Sequence, residues 1–255
     1  GGEGNDWVNY GPAPRRVNVD LNWGACEDGY GSWDQVKDIE NVVGTAFNDE
    51  IRGTDGANTI KASGGDDVVW GRRGDDVLYG GEGHDRLYGE DGQDRLYGDV
   101  GNDELRGGRG TDTLYAGAGD DKLYGDEDGD TLYGGEGNDG LWGGRDSDTL
   151  FGEEGVDKLY GEDGDDLLAG GAGNDWIEGG SGEDLLFFPG AMQGVTVDLA
   201  CGGNGWATDG LGGTDTLKSS IDGAWGTEHG DVLLGDESRT EFHGGAGDDT
   251  LDGGY

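Results

Sequence analysis

The sequence predicts an all-β fold, a parallel β-solenoid with 18 residues per coil and two short parallel sheets. The first observation is a nine-residue repeat that runs without a gap through residues 62–187, in fourteen copies such as GGEGHDRLY from Gly80 and GGRGTDTLY from Gly107. The second is that every copy has an Asp at its sixth position and an aliphatic residue at its eighth. The third is glycine, 61 of 255 residues, which allows sharp turns between short strands.

Each repeat is predicted to divide into a Gly-rich turn of six residues and a strand of three. Because side chains alternate along a strand, the eighth residue points to one face and the seventh and ninth point to the other. The eighth residue is always apolar, so we expect it to face the core between the sheets. Two repeats form one coil, and stacked coils pair their strands in parallel about 4.8 Å apart.

The chain is predicted to have three parts, a central array at 62–187 between two copies of one interrupted module at 1–61 and 188–255. The strand-like VNVDL at Val17–Leu21 recurs as VTVDL at Val195–Leu199. Since the chain begins and ends in mid-repeat, we expect that the natural array continues or that ends stack on ends.

The first module carries a non-repeat insertion at about 10–43. We expect strands at Val17–Leu21 and around Val36–Val43, with a polar loop between them that contains Trp23 and Cys26. Cys26 and Cys201 lie in matching loops of the two modules, and both are predicted to be free loop thiols. The two cysteines form neither a disulfide framework nor a CxxC metal motif.

Acidic residues outnumber basic ones 57 to 16, giving a net charge of -41, and only 31% of residues are hydrophobic. Such a composition is typical of disordered chains, yet the strict period indicates a fold. A stabilising partner is therefore expected, and calcium suits a carboxylate-rich chain. The charge disfavours nucleic acid and anionic membranes as partners. Without an apolar run of about 18 residues, no membrane insertion is expected.

Stacking the coils aligns Asp residues that are 18 positions apart. Carboxylates about 4.8 Å apart repel strongly unless a cation lies between them, and turn carbonyls with Asp oxygens make an all-oxygen site that suits calcium. The predicted calcium ligands are Asp67, Asp76, Asp85, Asp94, Asp103, Asp112, Asp121, Asp130, Asp139, Asp148, Asp157, Asp166, Asp175 and Asp184 in the array, and Asp6, Asp49, Asp231 and Asp249 in the flanking modules. Seven turns per edge leave six gaps, so the array should hold about twelve ions (2 × 6).

Four turns depart from the pattern. Asn58 and Thr240 replace the sixth-position Asp, which weakens the expectation of a site there. Asp128 and Asp146 replace the fourth-position Gly, and Asp tolerates the left-handed backbone region better than most residues, so these turns are expected to form.

The GGxGxDxLx repeat resembles the haemolysin-type calcium-binding nonapeptide of the RTX (repeat-in-toxin) family, and the VTVDL interruptions resemble the breaks in RTX arrays. The resemblance covers nearly the whole chain. It implies a parallel β-roll, a right-handed β-solenoid with calcium in the turns, which is disordered at low calcium and folds outside the cell. It also implies an extracellular or cell-surface location after type I secretion.

The sequence predicts a non-enzymatic role. His84, His229 and His243 lie far apart in the register and make neither a zinc cluster nor a catalytic triad. The expected role is a scaffold in a secreted or cell-surface protein. Three alternatives stay open: a self-assembling filament or S-layer-like subunit, a carrier domain of a secreted protease, lipase or toxin, and a carbohydrate-binding adhesin segment.

The last alternative, a glycan or protein partner, depends on outward aromatic side chains at the ninth position. Stacking of these rings on one another, which stabilises a narrow sheet, is the favoured interpretation. The rows are Tyr79, Tyr97, Tyr115, Tyr133, Phe151 and Phe187 on one sheet, and Trp70, Tyr88, Tyr124, Trp142 and Tyr160 on the other.

Overall fold

A computed structural model describes residues 1–199, 204–218, 220–235 and 240–254, and its described residues form strands and turns without a helix. The all-β prediction is therefore confirmed, and the strands pair as in a parallel β-solenoid with two sheets. The chain divides into two compact units, Gly1–Glu127 and Asp128–Tyr255. The two units are defined by the contacts within each of them. The predicted three-part division is instead based on the duplicated sequence of the flanking modules, and it stays a prediction.

In the first unit, one sheet has the order β1-β5-β7-β9-β11-β13 and the other β14-β12-β10-β8-β6-β2-β3-β4. Pairing is parallel except where β3 lies antiparallel to both β2 and β4. The strands are β1 (Trp7–Asn9), β2 (Asn18–Asp20), β3 (Ala25–Glu27), β4 (Trp33–Gln35), β5 (Asn41–Val43), β6 (Glu50–Arg52), β7 (Thr59–Gly64), β8 (Val68–Arg73), β9 (Val77–Glu82), β10 (Arg86–Asp91), β11 (Arg95–Val100), β12 (Glu104–Arg109), β13 (Thr113–Ala118) and β14 (Lys122–Glu127).

In the second unit, the two sheets have the orders β15-β17-β19-β21-β25-β27 and β16-β18-β20-β24-β23-β22-β26-β28. Here β23 is the strand that runs antiparallel to both neighbours. The strands are β15 (Thr131–Gly137), β16 (Gly140–Arg145), β17 (Thr149–Gly155), β18 (Lys158–Asp163), β19 (Leu167–Ala172), β20 (Trp176–Ser181), β21 (Leu185–Phe187), β22 (Thr196–Asp198), β23 (Asn204–Thr208), β24 (Asp215–Lys218), β25 (Gly223–Trp225), β26 (Val232–Leu234), β27 (Glu241–His243) and β28 (Thr250–Asp252).

The register confirms 18 residues per coil. Leu96 pairs with Leu114 in one sheet, and Leu87 pairs with Leu105 in the other. All four side chains are fully buried. The eighth residue of each repeat therefore points inward and forms the core between the two sheets, as predicted.

The predicted strand length is wrong in the array. Apart from β21, which has three residues, strands there have six or seven residues and continue through the first three positions of the next repeat, which leaves a turn of two or three residues. The strands are longer because the backbone bends after the ninth residue of a repeat and pairing does not end there. The second position has positive φ, as at Arg72 (φ 86°) and Glu90 (φ 79°), and pairing resumes beyond it, where Glu90 pairs with Gly108.

The fourth position of each array repeat also has positive φ. Glycine takes values such as 146° at Gly155 and 151° at Gly164, while Asp128 and Asp146 reach 74° and 68°. Their turns form with a smaller φ that an Asp accepts. Close stacking explains why glycine is otherwise required, because a Cβ on Gly155 would lie 1.4 Å from the Gly137 carbonyl oxygen.

The first insertion differs from the prediction in three ways. Its polar loop contains the antiparallel strands β3 and β4, and the expected strand around Val36–Val43 is limited to β5. Cys26 is a free thiol, but it lies buried in β3 against the Tyr10 hydroxyl, so its prediction as a loop thiol is wrong. Burial raises the pKa of this thiol. Cys201 lies outside the described residues.

We predict that Gly155→Ala destabilises the second unit strongly, because its φ of 146° and the Gly137 carbonyl leave no room for a Cβ. Denaturant unfolding in calcium measures the effect. The matched control is Asp146→Gly, a change at the equivalent position of the preceding repeat, and it should leave stability nearly unchanged. Equal losses for the two variants would contradict this account of the turn.

Candidate metal centres in the turns

The sixth-position Asp side chains form columns along both edges of each unit. All fourteen in the array are buried, with at most 3% of their surface exposed. Each coil is tied to the next because the Asp amide N–H donates to Oδ1 of the Asp 18 residues later, as from Asp76 to Asp94 at 2.8 Å and from Asp85 to Asp103 at 2.7 Å. The same bond joins Asp148 to Asp166 at 2.8 Å in the second unit.

The other carboxylate oxygen distinguishes these columns from an ordinary hydrogen-bonded ladder. It is buried, and among the described residues no hydrogen-bond donor reaches it. This holds for the Oδ2 atoms of Asp6, Asp67, Asp76, Asp85, Asp94, Asp103, Asp148, Asp157, Asp166, Asp175 and Asp184. A buried, unsatisfied carboxylate oxygen is costly, so a repeated one indicates a place where a cation binds.

The first-position glycine makes room for this oxygen. A Cβ on Gly80 would lie 2.2 Å from Asp85 Oδ2, and one on Gly89 would lie 2.2 Å from Asp94 Oδ2. The carboxylate therefore folds back over the start of its own repeat. This close approach of the Asp carboxylate explains why the first residue of GGxGxD is glycine.

Burial also raises the pKa of these carboxyl groups, and hydrogen bonds from backbone amides only partly oppose the shift. The pKa rises from 3.8 to about 8 for Asp67, Asp76 and Asp148. It rises to about 6 for Asp94 and Asp103. At neutral pH the columns therefore need either protons or cations to offset the cost of burying charge.

The chemistry of the donors fits a hard cation. Among the described residues, no three His, Cys, Asp or Glu side chains converge on one point. Each turn offers carboxylate oxygen from its Asp, and main-chain carbonyls of the turns would supply the remaining oxygen donors. A site built from oxygen alone suits calcium better than zinc or copper.

Two of the predicted ligands have different surroundings. Asp49 accepts hydrogen bonds from Val17 N–H at 2.7 Å and from Thr45 N–H at 2.5 Å, one on each oxygen. Asp231 is bonded in the same way, from Val195 N–H at 2.8 Å and Thr227 N–H at 2.6 Å. These carboxylates are satisfied by the protein itself, so their role as ligands stays a prediction that the geometry does not favour.

A threonine at the second position accounts for the difference. Thr45 and Thr227 cap their own Asp with the hydroxyl as well as the N–H, Oγ1 donating to Oδ1 at 2.9 and 3.0 Å. Thr54 in the same place caps Asn58, donating its N–H to the Asn58 Oδ1 at 2.7 Å. We call the turns that begin with Gly-Thr the GT turns, at 44–49, 53–58 and 226–231. Asp6 keeps an unsatisfied Oδ2 like the array, and Asp249 accepts the Asp231 N–H at 3.0 Å.

The structure adds members to the columns that the sequence reasoning missed. Asp215 is buried and accepts the Asp175 N–H at 3.1 Å, and Asp222 accepts the Asp184 N–H at 3.0 Å. Their spacings of 40 and 38 residues hide them from a search at 18. A signal was present for Asp215, since GLGGTDTLK from Gly210 has Asp at its sixth position and Leu217 at its eighth.

Fold and site together define a parallel β-roll with columns of buried carboxylates in its turns. The sequence profile of the RTX calcium-binding nonapeptide repeat matches residues 43–78, 70–105, 97–132, 106–141, 124–159, 133–168, 160–188 and 225–254. These segments run continuously over 43–188 and then over 225–254, more than half of the 255 residues, so the chain belongs to the RTX calcium-binding repeat family. No curated protein matches the chain.

RTX repeats bind calcium, and membership of the family implies calcium in the turns of this β-roll, with which the buried Asp residues are consistent. The family is a structural, non-catalytic type of domain. In the part of the chain that the structure describes, no helix has the length and hydrophobicity needed to span a membrane.

We predict that Asp76→Asn raises the calcium concentration needed for half-maximal folding, because a neutral amide gives a cation a weaker ligand than a carboxylate. Calcium titration followed by far-UV circular dichroism measures the midpoint. Asp75→Asn is the matched control, with the same charge change at the neighbouring, exposed position. Equal shifts for the two variants would show that net charge, not the buried site, sets the midpoint.

We predict that calcium-free protein gains stability as the pH falls from 8 toward 5. The folded-state pKa values of about 6 to 8 lie above the unfolded value near 3.8. The stability that protonation of these carboxyl groups contributes is therefore complete below about pH 4 and is lost as the pH rises through about 8. Far-UV circular dichroism of the calcium-free chain as a function of pH measures it, as a β-sheet signal that returns on acidification. High salt screens repulsion between exposed carboxylates, so a trend that vanishes in salt would contradict the assignment to buried groups.

Proposed function

We propose that this chain is an extracellular calcium-loaded scaffold, part of a secreted or cell-surface protein, that folds when it binds calcium outside the cell. The observation that carries the proposal is the repeated buried Asp Oδ2 without a hydrogen-bond donor among the described residues. A column of such oxygens is unstable at neutral pH without cations, so folding and binding are one event.

The expected calcium response follows from the stacked geometry. Each turn contributes one carboxylate, a low charge for a calcium site, which favours affinities in the extracellular range of about 10⁻⁴–10⁻³ M. Neighbouring coils share strand pairing and Asp-to-Asp hydrogen bonds, so binding in one coil orders the next and the response is cooperative. An occupancy of about twelve ions in the array stays our estimate from the turn count.

A non-catalytic role is part of the proposal. The family supports it, because its repeat is a structural type of domain. The three histidines also occupy unrelated places, with His84 and His229 in different turns and His243 in β27. A carrier role within a secreted protease, lipase or toxin is compatible with the same scaffold.

The carbohydrate-binding alternative gains little support from the aromatic rows. Tyr97 stacks between Tyr79 and Tyr115, with ring centroids 4.8 and 5.1 Å away, and Tyr133 stacks on Phe151 at 4.7 Å. The flat faces that would stack on a sugar ring are therefore covered by neighbouring rings. The rows support stabilisation across the sheet, at about 0.5–1.5 kcal/mol for each pair.

We predict that chelation by EGTA abolishes the β-sheet circular dichroism of the chain at neutral pH, and that millimolar calcium restores it in one cooperative transition. Magnesium at the same concentration is the control. It demands near-octahedral geometry and dehydrates reluctantly, so it should fail to restore the signal. A chain equally folded in EGTA would overturn the proposal.

A further inference from the structure

Five side chains lie in register across five neighbouring strands of the second unit. Lys158 of β18 pairs with Trp176 of β20, which pairs with Thr216 of β24. Thr216 pairs in turn with Trp206 of β23, and Trp206 pairs with Asp198 of β22. We call these five residues the cross-strand row. Neighbouring strands are about 4.8 Å apart, so the row crosses about 19 Å of the sheet (4 × 4.8).

The cross-strand row lies on the outer face of its sheet. On each of the five strands, a residue next to the row is buried, and side chains alternate between the two faces of a strand. The row therefore points away from the core. These buried neighbours are Leu159, Ile177, Leu217, Ala207 and Val197.

The two tryptophans of the row differ from the stacked aromatic residues of the array. Trp176 and Trp206 have 36% and 38% of their surface exposed. Among the described residues, no aromatic ring stacks on either indole and no group accepts a hydrogen bond from either indole N–H. Trp142 and Tyr160, by contrast, stack with centroids 5.6 Å apart. The two exposed indoles thus keep ring surface and an N–H donor for a ligand.

The fold does not require tryptophan at either position. Ala25 of β3 takes the place of Trp206 in the first module, since each pairs with the Asp that ends the preceding strand. Trp176 is the seventh residue of its repeat, and the neighbouring strand has Lys158 at that position. Binding explains two exposed indoles at these positions better than packing does.

The chemistry of the row fits a sugar chain. An indole combines a large apolar ring with an N–H donor, as a sugar combines an apolar C–H face with hydroxyl groups. Trp176 and Trp206 are two strand separations apart, about 9.6 Å, which leaves room for one further sugar ring above Thr216. The Thr216 hydroxyl, the Lys158 ammonium and the Asp198 carboxylate supply donors and acceptors for sugar hydroxyls.

Charge favours a neutral glycan over an acidic one. Lys158 and Asp198 at the two ends of the row cancel each other, so the row has no excess of positive charge for an anion. The chain as a whole has a net charge of -41, and about twelve calcium ions would supply only about 24 positive charges (2 × 12). An acidic polysaccharide is therefore repelled. Polar residues also separate the two tryptophans, unlike the apolar core of a protein interface.

We propose that the cross-strand row binds a neutral polysaccharide that runs across the strands, with sugar rings stacked on Trp176 and Trp206 and a third ring over Thr216. The Lys218 Nζ lies 3.9 Å from the centroid of the Trp176 ring and occupies one face of it, so the sugar stacks on the other. The site uses neither the stacked aromatic rows nor the buried Asp columns. It adds a binding activity to the proposed scaffold.

Native affinity electrophoresis of the full chain in millimolar calcium tests the proposal. Separate gels contain a soluble β-glucan, xylan, mannan or galactan, and chondroitin sulfate is the acidic probe. At least one neutral polysaccharide should retard the wild type, and chondroitin sulfate should not. Trp206→Ala and Trp176→Thr should each weaken binding about tenfold or more, as expected for loss of a central aromatic contact.

Trp23→Ala is the matched control, because Trp23 is 86% exposed in the first unit and lies outside the row. It should bind like the wild type. Circular dichroism checks that each variant is folded, and Ala25 in the matching strand indicates that Trp206→Ala folds.

Three results would each refute the glycan proposal: no retardation of the wild type by any neutral polysaccharide, retardation by chondroitin sulfate alone, or equal binding by the wild type and both row variants. Absence of a calcium-induced β signal in the wild type would instead refute the folding proposal. The gels still decide the glycan proposal in that case, since binding and folding are measured separately.

Discussion

The burial of carboxylate groups in columns is the constraint on which the rest of this structure depends. The repeat has an Asp every nine residues, and the side chains of these Asp residues are buried away from water. Burial raises the pKa of such a group, to about 6 at Asp103 and to about 8 at Asp67. Backbone amides satisfy one oxygen of these carboxylates, as at Asp94 and Asp166, and in our proposal calcium in the turns offsets the charge that remains.

The other features of the repeat serve this arrangement. The leading glycine leaves space for Oδ2, the fourth-position glycine lets turns stack closely, and the bend at the second position carries the strand into the turn. The buried aliphatic side chains of the eighth position form the core between the two sheets. The GT turns solve the same problem differently, because a threonine at the second position caps the Asp or Asn without a metal.

Much of this could be predicted from the sequence, because a strict period converts spacing into geometry. The 18-residue coil, the inward Leu residues and the Asp columns all follow from counting. The strand length could not be predicted from the period. The bend at Arg72 or Glu90 depends on a positive φ, and neither Arg nor Glu indicates such a backbone conformation. Asp215 was missed, and Cys26 was expected in a loop, for a related reason. Cys26 lies in an antiparallel strand inserted between coils, and a matching insertion separates Asp215 from Asp175 by 40 residues instead of 18.

The central claim is that a calcium ion lies beside the second oxygen of each buried array Asp. Anomalous scattering from crystals grown in calcium tests it most directly, because calcium gives an anomalous signal that protein oxygens do not. The account predicts a column of peaks along both turn edges, each within about 2.3–2.6 Å of an Asp Oδ2 such as that of Asp76 or Asp157. An ordered array without peaks at these oxygens would contradict it.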